Sequence, residues 1–153
     1  MKYKVILLAT FFLFVGKTIF AQETITDEEL KKYAIAMDSI SDMKAALLSD
    51  LSDMVKSNTE MRNDRYNELS KIIADDAKLA EANATPEEIA FIKNVAAKKE
   101  EGTAEITQTF QSLAKEYIGA ASYNKVKKAL SSDAEVKLRY QKFLDEVDQD
   151  DVN

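Results

Sequence analysis

The chain contains no cysteine, no histidine and no tryptophan, and only one proline and three glycines in 153 residues. Each absence removes a class of chemistry. Without cysteine there is no disulfide framework, so packing alone must hold the fold even in an oxidising compartment. A bacterial lipid anchor is excluded on the same ground, because it is attached to a cysteine after the cleavage site. With histidine gone as well, a structural zinc site has lost its usual ligands. The Glu-x-x-His pairs of di-iron bundles cannot be assembled, and neither can a triad with a histidine base. So few helix breakers among so much alanine, lysine, glutamate and leucine predict a chain that is nearly all α-helix.

Residues 1–21 read MKYKVILLATFFLFVGKTIFA. Two early lysines (Lys2 and Lys4), an apolar run over residues 5–15 and the small Ala21 before Gln22 are the parts of a secretory signal. The run is eleven residues long, short of the roughly 20 that a membrane-spanning helix needs. This favours a cleaved signal, with an uncleaved N-terminal anchor as the alternative. The working protein is then residues 22–153, periplasmic or secreted from a Gram-negative bacterium, with no membrane span of its own. Removing the three lysines of the signal leaves 18 basic against 27 acidic residues, a net charge of −9. That balance repels nucleic acid and anionic lipid, and its plainest consequence is solubility.

Thr26-Asp27-Glu28-Glu29 has the form of a capping box. From it, Leu30, Tyr33, Met37, Ile40, Leu47, Leu51, Met54 and Met61 follow steps of three and four, with Lys44 and Asn58 in the missing heptad positions. This is a long amphipathic helix with a bundle-like seam. Near Ser57 the pattern changes, and Ser57-x-x-Glu60 offers a second cap. Two helices, about 27–56 and 60–82, or one bent helix through both, satisfy the pattern. Thr85-Pro86-Glu87-Glu88 is the clearest boundary: an N-cap, a proline at the first helical position and a glutamate closing the box. The next seam reads Ile89, Ile92, Ala96, Lys99, Thr103, Ile106, Phe110, Leu113 and Tyr117. Gly102 inside it predicts a kink or a close helix approach. Gly119 is placed to end this helix. A short helix over about 122–130 and a last one capped by Ser132-Asp133-Ala134-Glu135 complete the pattern. The expected fold is all-α, an elongated antiparallel bundle of about 4–5 helices. Residues 22–147 form a single helical domain and residues 148–153 a frayed, disordered acidic tail.

Two stretches resemble a bacterial family known as domain of unknown function 4168. The first is Ile25-Thr26-Asp27-Glu28-Glu29-Leu30-Lys31-Lys32-Tyr33-Ala34-Ile35-Ala36, similar to the family's capped acidic opening. The second is Tyr123-Asn124-Lys125-Val126, Ala129, Asp133-Ala134-Glu135-Val136 and Arg139-Tyr140, similar to its closing pattern. Gly119 stands closer to Tyr123 than the family's glycine does to its tyrosine, and Ala134 replaces a frequent proline. The resemblance implies an exported helical domain and no particular activity.

Tyr123, Asn124, Asp133, Glu135, Arg139 and Tyr140 form the candidate interaction or end-cap cluster. Asp133 suits a helix N-terminus, and Arg139 suits a carboxylate such as Asp133 or Glu135. Ser41-x-x-Lys44 and Ser122-x-x-Lys125 match the Ser-x-x-Lys of penicillin-binding enzymes, but the companion elements are missing. Asp75/Asp76, Glu87/Glu88 and Glu100/Glu101 with Glu105 point in different directions on a helix and read as solvated faces. The tail lacks the glycine and distal glutamate of a calcium loop. Asn83-Ala84-Thr85 is formally a glycosylation acceptor whose simpler role is a loop and cap. Met37, Met43, Met54 and Met61 fit core filling, or an adaptable apolar surface. No catalytic, cofactor or metal residues are assigned. The expected function is a non-enzymatic, exported binder of a protein or envelope component, possible as an oligomer. The alternative is a chaperone-like protein that holds unfolded clients.

Overall fold

The computed structural model describes residues 24–150, with side chains through residue 147. The expected signal over residues 1–21 lies outside the described residues, as do residues 151–153 of the expected tail. The described chain is all-α: six helices, α1 (Asp27–Ser57), α2 (Asn63–Ser70), α3 (Asp76–Glu81), α4 (Pro86–Ser112), α5 (Ala120–Ser132) and α6 (Ala134–Asp150), and no strand among them. Helix α6 runs to Asp150, so the first three residues of the expected acidic tail are helical.

Both long helices start where local chemistry dictates. The Glu29 amide donates to Thr26 Oγ1 (3.2 Å) while the Thr26 amide donates to Glu29 Oε2 (3.0 Å). The same reciprocal pair joins Thr85 and Glu88 (3.2 and 2.9 Å) behind Pro86. Two orphan amides are satisfied at each start, and the carboxylates complement the helix dipole.

Helix α1 stops at Ser57 because Asn58 is extended and turns the chain. Its Oδ1 accepts from the Glu60 and Met61 amides (2.9 and 3.0 Å). Ser57, the expected cap, instead donates to the Met54 carbonyl within its own helix (3.4 Å). The expected helix over 60–82 is two short helices, and the single bent helix is likewise overturned. A turn follows α2, and Asp75 then caps α3 by accepting from the Lys78 amide (3.1 Å). In a straight helix Leu69 and Leu79 would lie about 15 Å apart along the axis. The break lets both join one cluster with Met61 and Ile92, packed by Ile72 and Ile73.

Helix α4 keeps the expected seam at Ile92 and Ile106 and departs from it between them. Ile92, Val95 and Ile106 are buried, whereas Ala96, Lys99 and Thr103 are exposed. The contact line runs through Val95 and Gly102. A Cβ on Gly102 would stand 2.5 Å from Leu47 Cδ1, so the glycine marks a close approach of α1 and α4. Gly102→Leu is therefore expected to destabilise the protein by about 1–3 kcal/mol through overpacking, read as a lower urea midpoint. An unchanged midpoint would mean that the helices can separate freely there.

A π-helical turn, Leu113–Tyr117, ends this long segment, and the Ile118 amide reaches back five residues to the Leu113 carbonyl (2.9 Å). The wider turn rotates the following residue inward. Ile118 is 7% exposed and Tyr117 is 40% exposed, the reverse of the expected seam. Gly119 follows at φ 88°, a conformation that suits glycine, and leads into α5. Asp133, not Ser132, caps α6. It accepts from the Glu135 and Val136 amides (2.9 and 3.2 Å), while Ser132 is still within α5.

The core is divided. Ile25, Leu30, Tyr33, Ala36, Ile118, Val126 and Val136 form one cluster at the start of α1. Met61, Leu69, Leu79 and Ile92 form a second beyond its end. Helix α1 meets the end of α4 at the first cluster and its beginning at the second, so the two run antiparallel. No α1 residue after Ile40 is buried, and α4 buries none between Val95 and Ile106. Between the two clusters the buried packing of α1 and α4 thins out.

Candidate functional site

The sequence-predicted cluster lies at the α1–α5–α6 end, where the first core closes. Tyr123 on α5 stacks on Tyr33 of α1 (centroids 5.5 Å, planes at 27°) and takes the edge of Phe110 (5.7 Å). Tyr140 on α6 meets Tyr33 edge-on at 5.8 Å. Burial pushes the Tyr33 phenol up to about 12, helped by its two tyrosine neighbours. Burial also raises Tyr140, with Asp38 adding to it. These rings contribute apolar contact and oriented aromatic pairs to one packed unit.

Arg139 does not pair with Asp133 or Glu135. Its guanidinium reaches Asp27 in the first turn of α1, with Nε 3.1 Å from Oδ1, and Nη2 also donates to that oxygen and to the Ile25 carbonyl (3.1 Å). The reason is position: Asp133 is already occupied as the α6 cap, and Arg139 stands more than a turn further on. Asn124 and Glu135 are exposed. Four of the six predicted residues are thus drawn into the fold's own bonds, and two face solvent.

Sequence reasoning missed the residue that ties this end together. Glu29, already closing the α1 cap, also accepts from Ser122 Oγ (2.8 Å) and Lys125 Nζ (2.7 Å) on α5. The Lys125 contact, then the Thr26 amide, hold its carboxyl at about 2, against a smaller opposing effect of burial. The Ser-x-x-Lys spacing at 122–125 was the available signal. An i, i+3 pair shares one helix face, which here gives a single carboxylate two donors. A carboxyl held at about 2 stays ionised at ordinary pH, which suits a permanent tie and poorly matches proton transfer near neutrality.

The opposite end repeats the device. Arg65 of α2 donates from Nε and Nη2 to the two Glu88 oxygens (2.9 and 3.1 Å), from Nη1 to Glu68 (3.1 Å) and from Nη2 to the Ala82 carbonyl (2.9 Å). Arg65 lowers the Glu88 pKa, with the Thr85 amide assisting. A glutamate of each long-helix capping box therefore doubles as a tertiary ion-pair partner. The formal acceptor Asn83 sits between these elements at φ 52° and is exposed. Met61 is buried in one core, and Met37 packs against the other.

Among the described residues no group of acidic side chains is gathered as metal ligands, and no helix is long and apolar enough to cross a membrane. Comparison of the chain with models of protein families, with curated proteins and with solved structures finds no match.

Proposed function

We propose that this chain is an exported, non-enzymatic helical scaffold that binds a protein or envelope component. The observation that supports it most is the distribution of packing. Both ends are closed by cores and ion-paired caps. Between them, α1 and α4 leave long exposed faces, with Leu48 66% exposed on α1. Elongated helical faces of this kind suit a macromolecular partner better than a small ligand, which needs a concave site. The lysine-flanked apolar N-terminus supports export, and the resemblance of the two terminal stretches to an exported helical family agrees with it.

The test is crosslinking in the native envelope, followed by identification of what is captured, with the N-terminus of the recovered protein sequenced. One dominant partner, and a chain that begins at Gln22, are expected. A broad set of unrelated proteins, together with suppression of aggregation of a denatured test protein at stoichiometric amounts, would replace this reading with the client-holding one. A chain recovered intact from the cytoplasm would remove the exported role.

A further inference from the structure

The outer face of α4 carries a charge order that is its own complement. Lys93 and Glu100 are seven residues apart, so they stack on one side of the helix. At 100° per residue that side is opposite Gly102, the residue that meets α1. Ala97 lies between them, Ala90 and Ala104 lie one heptad to either side, and all five residues are exposed. The neighbouring Lys98 and Glu101 pair within the helix at 3.9 Å. A shallow open groove adjoins the C-terminal part of this face, lined by Ala96, Lys99, Glu100, Thr103, Ala104 and Thr107 among others.

We propose that this face binds a second copy of the chain, with the two α4 helices antiparallel about a two-fold axis beside Ala96 and Ala97. In that arrangement Lys93 of each copy meets Glu100 of the other, so one contact is made twice, as an isologous interface requires. A parallel arrangement in register would set like charge against like charge, which selects the orientation. The alanines admit close approach of the helix axes, and the glutamate–lysine order sets the register. A net charge of −9 on residues 22–153 opposes indiscriminate self-association. Attraction is therefore confined to a face whose charges are matched. Exposed ion pairs are individually weak, so the association belongs in the micromolar to millimolar range and weakens with salt.

Sedimentation velocity on the purified protein at low ionic strength tests this. The wild type is expected to form a reversible dimer. K93E and E100K should each weaken it by about tenfold or more, while circular dichroism stays unchanged because both positions are exposed. An equimolar mixture of the two variants should restore association, since each then meets the opposite charge twice. A chain without cysteine provides a second readout: A97C should form a disulfide-linked dimer rapidly under mild oxidation, and S49C on α1 should not. A wild type that stays monomeric up to millimolar concentration would overturn the proposal. So would a charge-reversed variant that associates as the wild type does, a mixture that fails to recover, or equal crosslinking of A97C and S49C.

Discussion

Leu30→Ala is expected to cost about 3–4 kcal/mol of stability and to loosen one end of the molecule before the other. Leu30 is completely buried at the start of α1, among Tyr33, Ile118, Val126 and Val136. Large-to-small changes at such sites lose transfer free energy and leave a cavity. Because the core is divided, amide exchange should accelerate in α5, α6 and the first turns of α1, while α2, α3 and the start of α4 keep their protection. Leu69→Ala, equally buried in the second cluster, should give the mirror pattern. Denaturation in urea measures the cost, and hydrogen exchange measures its location. Uniform acceleration in both variants would show that the two clusters form one cooperative unit.

Glu29→Gln is expected to cost about 2 kcal/mol at neutral pH and to flatten the acid limb of the stability curve. The sign follows from the direction of the shift. Lys125, the Thr26 amide and Ser122 hold the native carboxyl at about 2, below its ordinary value of 4.5. The unfolded chain therefore binds the proton more readily. The contribution is complete above the unfolded value and is lost as pH falls from about 4.5 to about 2. Glutamine keeps a hydrogen-bonding side chain but removes the charge, so the mutant should lose less stability than the wild type across that window. Chemical denaturation at a series of pH values separates the two curves. Parallel acid limbs would mean that Glu29 titrates normally and that the tie to α5 is not what holds it.

What the sequence made legible was local. Both capping boxes, Pro86 at a helix start, the turn at Gly119 and the close approach at Gly102 each depend on a few adjacent residues, and each is found in place. What it concealed was decided by partners far along the chain. Nothing in Lys71-Ile72-Ile73-Ala74 forbids a helix. The break there serves the cluster that joins Leu69 to Ile92. Ala96, Lys99 and Thr103 fit a heptad as well as Val95 and Gly102 do, and only the presence of Leu47 opposite chooses between them. Tyr117 and Ile118 are both apolar neighbours, so the π-turn that selects Ile118 left no mark in the periodicity. The candidate cluster was legible as a set of residues. Its bonding was not, because Arg139 and Lys125 find their carboxylates in Asp27 and Glu29, about a hundred positions earlier.

The divided core also makes the protein a beam of uneven stiffness. Resistance to bending rises steeply with the packed cross-section, and that packing thins where α1 buries nothing after Ile40 and α4 nothing between Val95 and Ile106. Deformation under load therefore concentrates where Leu47 rests on Gly102, while each end moves as a block. Motion of one end relative to the other is then a twist or slide of α1 against α4 at that contact.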